Sequence, residues 1–134
     1  MPSLFLVTLV VDDYDRAKAF YCDVLGFDCV VDQPLDDAGK RWLVVKPRGG
    51  EGASLLLARA DGDGEHGAVG NQTAGRVGFF LSTDNFARDH AAFTANGVTF
   101  IEEPRHEPYG TVAVFSDLYG NLWDLIEHRG ETAS

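Results

Sequence analysis

A repeated order of elements constrains this chain more than any other feature. Val11-Asp12-Asp13-Tyr14 is echoed by Thr83-Asp84-Asn85-Phe86, and Leu25-Gly26-Phe27 by Asn96-Gly97-Val98, each about 71 positions later. Residues 4–11 (LFLVTLVV) are continuously apolar, too short for a stable helix and closed by Asp12-Asp13, which predicts a strand buried on both faces. Residues 13–25 change period. Ala17, Phe20, Tyr21, Val24 and Leu25 fall on one helical stripe, and Asp15, Arg16, Lys18 and Asp23 fall opposite. Asp12 or Asp13 caps this helix and Gly26 closes it in the left-handed conformation that a helix end favours. Extended patterns at 27–31, 41–46 and 54–58 complete a β-α-β-β-β order.

The second half repeats that order. A strand at 76–81 precedes a helix at 84–96, with Phe86, Ala91, Ala92 and Phe93 towards the core, then Gly97 and strands at 98–101, 111–115 and 122–127. Asp117, Gly120 and Asn121 form the turn before the last of these. A unit of one helix and four short strands leaves edges and one sheet face uncovered. The expected fold is therefore α+β, with two βαβββ modules (1–59 and 76–134) forming a curved mixed sheet around a concave pocket, helices outside. Residues 60–75, polar and without apolar periodicity, read as the linker. A length of 134 residues accommodates one such domain.

Charge and composition exclude several functions. Asp and Glu outnumber Lys and Arg by 21 to 11, and the resulting net charge of −10 repels a phosphate backbone. Nucleic acid and acidic membrane surfaces are poor partners. No stretch approaches the ~18 apolar residues of a membrane span, and the opening apolar run lacks the basic flank and length of a secretion signal. The expected location is the cytoplasm. Cys22 and Cys29 form neither a CxxC pair nor a disulfide framework, and read as small buried apolar groups in a reducing compartment.

The chemistry-bearing residues are few. His66, His90, His106 and His128 show no HxH or HExxH spacing. His66 and His128 read as loop residues and His90 as part of a solvated helix face. His106, in RHEPYG, lies on a proline-bracketed loop where an imidazole suits hydrogen bonding or acid–base work near neutral pH. Tyr109 offers a hydroxyl from the same loop. Asp124, in LWDLI, is a strand carboxylate. It serves packing if it pairs with a neighbouring Arg or hydroxyl; in an apolar pocket, desolvation raises its pKa and makes it a base or a counter-ion. Strand alternation sends Phe79 and Phe80 to opposite faces, with Phe80 as the pocket wall. Trp42 and Trp123 read as core or interface anchors. Ser54 lacks a nucleophile elbow, and Gly49-Gly50 opens no phosphate-binding helix.

Two segments carry a family resemblance. LVVDDYDRAKAFYCDVLGF resembles the first strand, helix and Leu-Gly-Phe turn of the vicinal oxygen chelate superfamily, and FSDLYGNLWDLIE resembles its ending. That superfamily includes glyoxalase I, extradiol dioxygenases, methylmalonyl-CoA epimerase, fosfomycin-resistance enzymes and bleomycin-resistance binding proteins. The resemblance implies a cup that in the enzymes holds a divalent ion, through His or Gln on the first strand of each half and an oxygen donor on a last strand. Those positions fall here at Leu6 or Thr8, at Gly78 or Phe80, and at Ser54 or Leu56, with Asp124 alone as a donor.

The expectation is a cup without metal or other cofactor, in which Thr8, Phe80, Tyr109 and Asp124 contact a small molecule. The function implied is binding of a hydrophobic, aromatic or cationic compound, as in the bleomycin-resistance members. The alternative is a lyase, isomerase or dioxygenase-type enzyme with Asp124 as base and His106 or Tyr109 assisting. The resemblance also implies a homodimer.

Overall fold

The computed structural model of the protein describes residues 1–129, and the chain divides into two compact units, residues 1–72 and 73–134. The expected linker therefore does not stand apart. It contains a short helix, α2 (Asp63–Ala68), and all of it up to Gln72 belongs to the first unit. The expected second module extends to 134, and its last five residues lie outside the described ones. No helix among the described residues is long and apolar enough to cross a membrane.

The first unit is built from β1 (Leu6–Val11), α1 (Tyr14–Lys18), β2 (Asp28–Pro34), β3 (Arg41–Lys46) and β4 (Ser54–Arg59), followed by α2. Its four-stranded sheet has the order β1-β4-β3-β2, with β1 parallel to β4 and the other pairs antiparallel. The register puts Leu9, Val11, Leu43, Val45, Leu55 and Leu57 on one face, all buried, where α1 adds Tyr14 and Ala17. β1 is thus buried on one face and not on both: Thr8 is exposed, and Leu4 and Phe5 ahead of the strand are exposed as well. The expected continuous helix changes type after Lys18, and Ala19–Val24 winds as a π-helical turn that buries Tyr21. Gly26 (φ +77°) reverses the chain after it.

β1 is an edge strand, and a side chain covers part of its open edge. Gln72 accepts the Val10 N–H at 2.8 Å and donates to the Thr8 carbonyl at 2.7 Å, so its amide stands in for a neighbouring strand.

The second unit holds β5 (Val77–Ser82), α3 (Phe86–Ala95), β6 (Thr99–Phe100), β7 (Arg105–Glu107), β8 (Gly110–Ser116) and β9 (Leu122–His128). Its five-stranded sheet runs β5-β9-β8-β6, with β7 also paired to β8 and β5 parallel to β9. Strand β7 corrects the loop expected at residues 105–107. Phe115 is the centre of the helix-covered face, with Phe93 of α3, Phe100 and Trp123 around it at 5.5, 5.6 and 5.9 Å, ring centre to ring centre. Ala91 and Ala92, expected in the core, are exposed.

The two helices begin alike. The Asp13 carboxylate accepts from Arg16 N–H and the Asn85 amide from Arg88 N–H, while Asp12–Arg16 and Asp84–Arg88 form matching ion pairs one turn apart. The turn into β9 closes as expected, with the Asp117 carboxylate accepting from the backbone N–H groups of Tyr119 and Asn121.

Gly110 begins β8 so close to β9 that a Cβ at this position would run into the Glu127 carbonyl oxygen. Gly110→Ala is expected to destabilise the fold by about 3 kcal/mol in denaturant unfolding, whereas Gly52→Ala, at a position open to solvent, should stay within about 0.5 kcal/mol.

Candidate functional site

In the first unit the register aligns Thr8, Leu56, Val44 and Val31 across the sheet, on the face away from α1, and alternation brings Trp42 to that same face. A cavity of about 710 Å³ reaches from this face round the end of the sheet: Thr8, Trp42 and Leu56 line it from this face, and Tyr14 of α1 with Arg41 and Arg59, whose register puts them on the α1 side, line it there with the loop that carries Leu35 and Lys40. Its volume lies in the range of pockets that hold drug-sized ligands.

One wall of this cavity is fixed electrostatically. Arg41 grips Asp32 through Nε at 3.0 Å and Nη2 at 2.7 Å, reaches Asp15 through Nη1 at 2.8 Å, and shares Asp32 with Lys18 at 2.9 Å. Hydrogen bonds from Arg41 and then Lys18 pull the Asp32 carboxyl down to about 2. The Tyr14 hydroxyl accepts from the Arg41 backbone N–H at 3.1 Å, and the Arg41 and Arg59 guanidinium groups lie 5.0 and 5.1 Å from the centre of the Tyr14 ring.

In the second unit the corresponding row is Phe80, Asp124 and Val114. It lies on the face away from α3. Phe79 points the other way and stacks on Trp123 at 4.7 Å, whereas Phe80 is 66% exposed. Asp124 is half-buried, and its Oδ1 has no hydrogen-bond partner among the described residues. Loss of water around that carboxylate raises its pKa; Arg105 opposes the shift and Glu102 adds to it.

Glu102 fills the gap between β6 and β7, where its Oε1 accepts the Val114 N–H at 3.1 Å in place of a strand carbonyl. The same carboxylate takes Arg105 Nε, and Glu107 takes Arg105 Nη1 at 2.8 Å.

The sequence-derived candidates are thus distributed. Phe80 and Asp124 are register neighbours in the second unit, and Thr8 lines the cavity of the first. Tyr109 is exposed in the β7–β8 turn and its side chain also bonds Arg105. His106 is not on a loop but in β7, paired with Thr111, and its ring lies 3.3 Å from the Thr111 hydroxyl. Alternation puts that pair on the face opposite Asp124, so the geometry does not bring His106 to the carboxylate.

Several other expectations change. His90 is half-buried and packs against Phe100 in a tilted arrangement, ring centres 4.1 Å apart; His66 lies in α2; Cys29 is exposed. Trp42, expected as a core or interface anchor, is a cavity wall. Nothing local marks an arginine at a strand end, so Arg59 carries no signal in the sequence. Arg105 carries none either, because its partners Glu102, Glu107 and Tyr109 are spread over the connection before β7, β7 itself and the turn after it.

A family model for the glyoxalase/bleomycin resistance protein/dioxygenase superfamily matches residues 3–125. The chain belongs to that superfamily. It is 50% identical over 125 residues to an uncharacterized protein of Shewanella frigidimarina, covering 93% of each chain. Among solved structures, UcmS2 is 32% identical with a TM-score of 0.81, covering 94% of this chain and 98% of that one. TnmS3, described as an antibiotic binding protein from Streptomyces sp. CB03234, is also 32% identical, with a TM-score of 0.76 over 96% of this chain and 98% of that one.

A resident metal, expected for the superfamily's enzymes, does not fit the residues present. The first unit's row offers only the Thr8 hydroxyl among Leu56, Val44 and Val31, and the second offers only Asp124 between Phe80 and Val114. The alternative position at Gly78 has no side chain and lies against Thr73, where a Cβ would approach Cγ2 to 2.5 Å. Among the described residues no three His, Cys, Asp or Glu converge.

The raised Asp124 pKa has a consequence for stability. An acid harder to ionise when folded penalises the native state above its folded pKa, and the penalty vanishes below its unfolded value of about 3.9. Asp124→Asn should therefore raise the unfolding midpoint at pH 7 relative to the wild type, and that gain should disappear by about pH 3.5. Urea unfolding at the two pH values checks it.

Proposed function

We propose that this protein is a metal-independent binder of a small, planar, largely aromatic molecule. The observation that carries this reading is the cavity of about 710 Å³ in the first unit, with the Trp42 indole and Leu56 as apolar wall and the Thr8 hydroxyl beside them. In the second unit, and separately from this cavity, the half-buried Asp124 carboxylate has an oxygen without a partner among the described residues, beside an exposed Phe80. The antibiotic-binding description of TnmS3 agrees with a binding role. Exposed Leu4, Phe5 and Phe80 give a second copy of the chain apolar surface to cover, and sedimentation should report twice the 14.6 kDa chain mass.

The test is calorimetric titration with a panel of naphthyl, acridine and quinone compounds, with and without EDTA. Saturable binding that EDTA does not change, weakened about tenfold or more in Trp42→Ala, is the expected result. Turnover of an aromatic or carbonyl substrate that requires added divalent metal and is lost in Asp124→Asn would replace this reading with the enzymatic one.

A further inference from the structure

We infer that the cavity of the first unit is an acid-accepting aromatic site, in which Arg59 is the counter-ion for a carboxylate carried by the planar ligand. The inference rests on the binding reading above and specifies its ligand class; Asp124 takes no part in it.

Two guanidinium groups lie against the Tyr14 ring, and they differ in one respect. Arg41 is neutralised by Asp32 and Asp15. Arg59 has no carboxylate in ion-pair contact among the described residues, although Arg16, Arg41, Arg48, Arg88 and Arg105 each hold one. In a chain with 21 acidic side chains against 11 basic ones, an exposed guanidinium that lines a cavity and pairs with no carboxylate calls for a physical reason.

The reason is visible in its neighbours. Asp36, Asp61 and Glu65 line the same cavity without an ion pair to Arg59, and Asp36 and Glu65 are committed to backbone. Asp36 Oδ1 accepts the Ala38 and Lys40 N–H groups at 2.9 and 3.1 Å, and Glu65 Oε1 accepts the Asp61 N–H at 3.0 Å. Arg59 is meanwhile held in place. The Tyr14 ring supports its guanidinium, and the turn at Gly39 (φ +92°) closes on its terminal nitrogens, where a Cβ would lie 3.4 Å from Nη2 and 3.7 Å from Nη1. A guanidinium stacked on a ring keeps its in-plane N–H donors for a partner, and their fork matches the two oxygens of a carboxylate.

Trp42 and Leu56 supply apolar surface in the same cavity, so the ligand these groups recognise together is a flat ring bearing an acidic oxygen pair. A preformed, uncommitted donor adds selectivity because little ordering remains to be done on binding.

The experiment compares three ligands of one shape: 2-naphthoate, 2-naphthamide and 2-naphthylmethylammonium, titrated calorimetrically into the full chain at low and high salt. The naphthoate should bind at least about tenfold tighter than the amide and the ammonium weakest, with the naphthoate preference shrinking as salt rises. Arg59→Gln should erase the preference while leaving the amide affinity within about twofold. Lys40→Gln, which removes another cation at the cavity, should keep it, and equal melting temperatures of the variants keep the comparison on binding. Equal affinity for all three ligands, a preference for the ammonium, or an unchanged preference in Arg59→Gln overturns the inference while leaving aromatic binding intact. Failure of all three ligands to bind removes the binding reading together with it.

Discussion

Each unit of this protein depends on one non-local pairing, the parallel contact between its first strand and its last. β1 meets β4 and β5 meets β9 only after a helix and two or more strands have been laid down between them, so the pairing closes the unit and sets the register of everything in it. Leu9 and Leu57 reach the helix-covered face because Thr8 and Leu56 occupy the other; Trp123 and Leu125 do so because Phe80 and Asp124 occupy the other. The cost is an edge strand in each unit. In the first, the Gln72 amide covers part of it by bonding two backbone groups of β1.

The same register shows how two similar units came to offer different chemistry. Thr8–Leu56–Val44 and Phe80–Asp124–Val114 are equivalent rows, and their side chains share only the valine. The first row is apolar with one hydroxyl and fronts a cavity with a fixed cationic wall. The second sets an exposed ring beside a carboxylate that burial keeps harder to ionise. Neither row offers a set of imidazole and carboxylate ligands around a cation.

Local signals were legible. Asp13 and Asn85 cap their helices, Gly26 and Gly97 take positive φ after them, Phe86 and Phe93 are buried, and Phe79 and Phe80 face opposite ways, because capping, chain reversal and strand alternation involve residues a few positions apart. Other features depended on distant partners. α2 formed in a stretch without apolar periodicity, where the chain continues to the Gln72 contact with β1. Residues 105–107 became β7 because β8 offered an unpaired edge, and that pairing turned His106 away from Asp124. Arg59 acquired meaning only when Tyr14, 45 positions earlier, lay beneath it.

The sequence by itself determined most of the order of elements, the caps, the alternation of faces and the poverty of metal ligands on the strands, since all of these follow from residue type and short spacing. Only the tertiary structure decided which polar groups remain unpaired. Whether a carboxylate such as Asp124 or a guanidinium such as Arg59 is left available depends on which distant side chains and backbone groups claim their neighbours. That competition among hydrogen-bond partners is settled by packing, and no local pattern records its outcome.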